Sequence, residues 1–182
     1  MKRSIAEDLR ERRPEAIDRL LAEHGREIQT VAQVILHDRD EAADVLAETV
    51  IAAWEKGSSL RDPDALRPWL LRVATNRALS RRRRTARLVA LDSILEPETA
   101  DLRGAAEAHV AVLEGLAFLA PRERAAIALR YLADLSVEEV ARAMGTSPNT
   151  VKTQLREALA KLRRGMADEN RERAALLEVR RG

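Results

Sequence analysis

The chain is 182 residues long, 46% apolar and only 2% aromatic, and it has no cysteine. Such a length makes one large domain or two small ones, with cores of Leu, Val, Ile and Ala that favour helix over sheet; disulfides and thiolate-held metals are excluded. The net charge of +2 conceals segregation, since residues 69–90 hold seven arginines and no acid while residues 92–101 hold four acids and no base; this pattern suits one surface to nucleic acid and another to a different partner.

Residues 1–13 are charged throughout and read as an extension. Helical periodicity starts near Pro14, with Ile17, Leu20, Leu21, Ile28, Val31, Ala32 and Ile35 along one face. Gly25 interrupts it and leaves one helix or two. Asp38, with Glu41 three residues on, has the spacing of a helix start. That helix buries Val45, Leu46, Thr49, Val50, Ala53 and Trp54, carries Asp44 and Glu48 on an acidic flank, and ends at Gly57. The stretch KGSSLRDP, 56–63, is a loop by its composition. A further helix, from Asp64 or Pro68 to Arg84, buries Trp69, Leu70, Val73 and Ala74. It stacks Arg72, Asn76, Ser80 and Arg83 on its other side. Periodicity is then lost over 85–103, which reads as a linker.

A second helical unit starts near Ala105, with Ala106, Val110, Leu113, Leu116 and Ala117 inward, and Pro121 opens a helix through Ile127, Leu129 and Leu132. Next comes SVEEVARAMGTSPNTVKTQLREALAKLRR, 136–164. Ser136 and Glu139 have capping-box spacing, Gly145 supplies the positive φ that stops a helix, Ser147 caps the next one and Pro148 fits its first turn. Two helices around a short glycine turn make a helix-turn-helix. Val137, Val140, Ala141 and Met144, then Val151, Leu155, Ala158, Leu159 and Leu162, point inward. Outward stand Asn149, Lys152, Thr153, Arg156, Lys161, Arg163 and Arg164, groups that read base edges or hold phosphates in a major groove. Past Gly165 the tail is helix-prone but poor in apolar residues.

His24, His37 and His109 lack metal-ligand spacing. With no plausible nucleophile or phosphate loop either, the chain is expected to have no catalytic residue, metal or cofactor, and an enzyme is the least favoured class. No apolar run approaches membrane-spanning length and no secretory signal opens the chain, so the expected location is the cytoplasm.

Two helical units, the first ending in an arginine-rich helix and the second in a helix-turn-helix, resemble the group IV (extracytoplasmic-function) sigma factors of bacterial RNA polymerase. RDEAADVLAETVIAAW, 39–54, looks like the family's polymerase-clamp segment, and WLLRVATNRALSRRRR, 69–84, looks like its promoter −10 helix. Residues 119–163 are similar to its −35-binding region almost throughout. The resemblance covers about Leu20 to Arg164 and departs from the family at Ala47, Val50 and Ser80, where Gln, an aromatic and Asp are usual.

The resemblance implies an all-α fold of two small helical domains joined by an acidic linker. Its parts are an extension at 1–13, a sigma region 2-like domain at 14–86, a linker at 87–104, a sigma region 4-like domain at 105–165 and a tail at 166–182. It also implies binding to core RNA polymerase at the β′ clamp and β flap, binding to promoter DNA, and an anti-sigma protein as a further partner. By the same resemblance the −10 contacts fall to Arg72, Asn76, Arg77, Ser80, Arg81, Arg82, Arg83 and Arg84, with loop 56–63 forming a pocket for an extruded base. The −35 contacts fall to Ser147, Asn149, Thr150, Lys152, Thr153 and Arg156, and the polymerase contacts to Asp44, Glu48 and Thr49. Two other readings stay open. One is a helix-turn-helix regulator acting without core polymerase, which would carry strands in its first half; the other is an interaction protein that mimics a sigma factor to sequester its antagonist.

Overall fold

A computed structural model describes residues 3–60, 62–91 and 115–179 of the chain. In order they form α1 (Ile5–Arg10), α2 (Glu15–Leu20), a π turn (Leu21–Gly25), α3 (Arg26–Leu36), α4 (Arg39–Lys56), 3-10 turns at Gly57–Ser59 and Pro63–Ala65, and α5 (Leu66–Leu91). The second unit comprises α6 (Pro121–Ile127) with a π turn (Ala128–Leu132), α7 (Val137–Met144) and α8 (Pro148–Val179). Among the described residues there is no strand.

The helix boundaries follow local chemistry. Gly25 has helical torsions inside the π turn, so α2 and α3 run on through a bulge rather than a break. His37 ends α3 in the left-handed region at φ 56°, and the Asp38 carboxylate accepts the Glu41 N–H at 2.8 Å to start α4. Gly57 follows α4 with an ordinary negative φ. Its value is close approach, since a Cβ there would lie 3.0 Å from Leu9 Cδ1.

That leucine belongs to a helix within the segment that reads as an extension. Ser4 and Glu7 form a capping box, with Ser4 N–H donating to Glu7 at 2.9 Å and Glu7 N–H to Ser4 Oγ at 3.2 Å. The resulting helix α1 buries Ile5, Ala6 and Leu9 and lies against the Gly57–Ser59 turn. Arg10 donates to the Leu60 carbonyl at 2.9 Å, so α1 is built into the first unit.

The expected helix end at Arg84 and the linker start at 85, or at 87 by the resemblance, give way to a longer helix: α5 continues to Leu91, because TARLVAL contains no Gly or Pro to stop it. The rest of the expected linker, its acids included, and the expected start of the second unit at Ala105 lie outside the described residues, as does His109. Ala117 is exposed, not inward; Leu116 and Leu119 fill the apolar positions there. Gly165 does not end α8, which runs on to Val179 as a lone glycine costs a helix only about 1 kcal/mol.

In the first unit α3, α4 and α5 each pack on the other two. In the second, α6 and α7 pack on α8. The two units also pack on each other: α7 lies against α5, α6 and its π turn lie against α3, and one buried apolar cluster runs through both. Arg67 on α5 donates to Glu27 on α3 at 3.1 Å and, across this seam, to the Ala133 carbonyl at 2.5 Å.

Candidate nucleic-acid interface

Two ridges of donors stand on the molecule, one per unit. On α5 the buried stripe of Leu66, Leu70, Leu71, Ala74, Thr75, Ala78 and Leu79 fixes the helix phase. Arg72, Asn76, Ser80, Arg83, Arg84 and Arg87 are thereby left exposed. Arg72, Asn76, Ser80 and Arg83, spaced four, four and three, form one line along the axis. Arg82 is half-buried on the side nearest the second unit, where its charge is felt by Arg124.

Arg77 and Arg81 are turned toward α4. Arg77 Nη1 donates to Glu48, while Arg81 donates to Glu48 at 2.5 Å and to Asp44 at 3.2 Å. Burial pushes the Glu48 carboxyl up, but hydrogen bonds from Arg81 and Arg77 more than offset it and hold the group below the ordinary carboxylate range. Burial likewise works against the charge on Arg81, and its bonds to Glu48 and Asp44 reverse the effect and raise its pKa.

The sequence reading of Thr49 as a polymerase contact is corrected. Thr49 is 0% exposed and its hydroxyl donates to the Val45 carbonyl one turn back at 2.7 Å, so it touches only its own unit. A residue outside the expected contacts is exposed beside the two acids: Ile51 on α4 lies three residues beyond Glu48 and seven beyond Asp44 on the same face. Its absence from the buried stripe was the available signal.

On the second unit the helix-turn-helix forms as its caps dictate. Ser136 N–H and Oγ both donate to Glu139, at 2.8 and 2.7 Å, and Gly145 closes α7 at φ 62°. Ser147 Oγ accepts the Thr150 N–H at 3.1 Å and lies 2.9 Å from the Thr150 hydroxyl, so both hydroxyls serve the start of α8. Asn149, Lys152, Thr153 and Arg156 are exposed at spacings of three, four and seven, one face opposite buried Val151, Leu155 and Ala158. Arg163 and Arg164 continue the exposed charge. Lys161 does not: it reaches inward to Glu123 at 2.7 and 2.8 Å, tying α8 to the start of α6. Burial raises the Glu123 carboxyl, and the Lys161 and Ala120 N–H bonds overcome that and lower it.

Between the units lies Arg124, only 3% exposed, with Nη1 3.0 Å from His37 Nδ1 and 3.4 Å from the Ala117 carbonyl. Among the described residues its Nε has no partner. Burial, and then the charge of Arg82, lower its pKa to about 10. His37 must present a bare Nδ1 to accept this bond. The seam leaves both donor ridges open to solvent. Among the described residues no acid or histidine cluster fits a metal ion, and no helix is long and apolar enough to cross a membrane.

Comparison with known proteins finds the Sigma-70 region 2 family over residues 20–88 and the Sigma-70, region 4 family over residues 109–162. The chain is 30% identical over 150 residues to the ECF RNA polymerase sigma factor SigM of Mycobacterium tuberculosis, covering 82% of this chain and 76% of that protein. Among solved structures it is similar to CnrH in complex with the cytosolic domain of CnrY, at a TM-score of 0.67 and 26% identity over 90% of this chain and 96% of that one. It also shares the fold of RpoE from Bartonella quintana, solved with the anti-sigma factor NepR, at a TM-score of 0.68 and 23% identity, covering 81% and 94%.

Proposed function

Because the chain belongs to the ECF RNA polymerase sigma factors, we propose that it binds core RNA polymerase and directs initiation to promoters whose −10 and −35 elements it contacts. The observation that carries this reading is the pair of exposed donor ridges, one on a region 2-like unit and one on a region 4-like helix-turn-helix, each opposite a buried apolar stripe. The chain performs no covalent chemistry; it lends sequence preference to the enzyme that does.

The α5 ridge meets the −10 element. Asn76 offers a donor and an acceptor to one base edge, while Arg72, Arg83 and Arg84 hold phosphates and set the register. Loop 56–63 receives a base that leaves the stack. The α8 ridge meets the −35 element through Asn149, Lys152, Thr153 and Arg156, with Ser147 and Thr150 shaping the helix start that approaches the backbone. Asp44, Glu48 and Ile51 face the basic β′ clamp of the polymerase, and the second unit meets the β flap. CnrH was solved in complex with the cytosolic domain of CnrY and RpoE with the anti-sigma factor NepR, and an anti-sigma protein is the further partner expected for this chain. All of this takes place in the cytoplasm.

Run-off transcription tests the reading. Core polymerase plus the chain initiates at defined sites in a pool of genomic fragments, and neither component does so alone. Dimeric operator binding with no affinity for core would overturn it in favour of an ordinary regulator.

A further inference from the structure

The α4 acids read as one partner's site and the α5 arginines as another's, yet in the folded chain they are bonded to each other. Both oxygens of Glu48 are occupied, Oε2 by Arg77 and Oε1 by Arg81, and the second arm of Arg81 reaches Asp44. Arg77 and Arg81 lie four apart on α5, as Asp44 and Glu48 do on α4, so the two pairs face each other across neighbouring helices. All four side chains keep some exposure, from 24% for Arg81 to 68% for Asp44.

We infer that Asp44, Glu48, Arg77 and Arg81 form one exchangeable ionic site, in which the acids occupy the two arginines until a basic partner surface takes the acids and uncovers the arginines for DNA phosphates. The inference rests on the proposed function for the identity of the two ligands. A carboxylate and a phosphate compete for the same guanidinium fork. Ion pairs with this much solvent around them are weak enough to trade partners. Two acids on two arginines sum to zero, so the free chain shows DNA a ridge short of two cations.

The partner that fits carries basic side chains next to an apolar patch, because exposed Ile51 adjoins Asp44 and Glu48 on the same face. Coupling of this kind is reciprocal: phosphates on Arg77 and Arg81 release the acids and tighten the hold of the basic partner by the same factor.

The test is a salt titration of a short promoter duplex binding to the full chain without polymerase. Asp44→Asn with Glu48→Gln is expected to bind several-fold more tightly, with a log–log salt slope steeper by about 1.8, two phosphates at roughly 0.9 each. Asp40→Asn with Glu55→Gln makes the same charge change on the same helix at exposed acids that form no ion pair among the described residues. It is expected to leave the slope alone. Adding Arg77→Gln and Arg81→Gln to the first variant should return the slope to the wild-type value. Glu48→Gln alone, with helicity checked by circular dichroism, should steepen it by about 0.9 and serves if the double variant misfolds.

Equal slopes in the Asp44/Glu48 and Asp40/Glu55 variants would overturn the exchange. That outcome is distinct from failure of the proposed function, which run-off transcription by the wild-type chain reads separately. A chain that initiates at promoters but shows equal slopes keeps its function and loses the exchange.

Discussion

Arg124 is a cation placed where water is nearly absent, and among the described residues it faces an imidazole and a carbonyl instead of a carboxylate. A buried charge without an opposite partner works against the contact that encloses it, and an apolar residue of similar volume is often more stable by about 1–4 kcal/mol. Arg124→Met should therefore raise the urea-unfolding stability of the chain within that range while lowering its activity with core, since the units then part less readily. Loss of stability in Arg124→Met would show that the guanidinium holds the seam. The exposed ridge divides differently. Asn76→Ala should change preference among −10 sequences by about 1–3 kcal/mol at one base. Arg83→Ala should weaken every promoter alike and reduce the salt slope by roughly 0.9. Transcription from a library of −10 variants separates the two, and uniform scaling by Asn76→Ala would remove it as a reader.

At the scale of elements, α1 shows what packing adds to local rules. Leu9 is fully buried against Gly57 at the start of the loop assigned to the extruded base, and Arg10 holds the Leu60 carbonyl of that loop. Leu9→Ala should cost about 2–5 kcal/mol in chemical denaturation. Gly57→Ala should be costly in the wild-type chain, where its methyl meets Leu9, but much cheaper in the Leu9→Ala background. Additive losses would mean that the two do not share a contact.

The helices with strong punctuation were legible in the sequence, because Asp38, Pro121, Ser136, Gly145 and Ser147 act within a turn of where they stand. Helix α1 was not, being six residues long and too short for periodicity, although Ser4 and Glu7 carried the same capping signal as Ser136 and Glu139. The end of α5 is not legible, because a run of arginines hides apolar periodicity without ending a helix. Lys161 reads as outward in the sequence because its partner Glu123 lies 38 residues away. The Asp44, Glu48, Arg77 and Arg81 network escaped for the same reason: nothing local in either helix reports that their charged flanks meet.

The whole molecule poses a question of reach. Elements centred at −10 and −35 are about 25 base pairs apart, roughly 85 Å at 3.4 Å per base pair, whereas a compact chain of this length has a radius of gyration near 16 Å. With α7 packed on α5, the two ridges cannot occupy both elements of one duplex. The packed form is then a resting state, and polymerase must hold the units apart. The chain has no cysteine, so Asp18→Cys on α2 and Glu157→Cys on α8, both exposed, accept a pair of labels without competition. The most direct test is the distance between those labels in the free chain, with core, and with core on promoter DNA. The distance should be short in the free chain and longer by several tens of Å on the promoter; a distance unchanged across all three states while transcription proceeds would show that the units do not part.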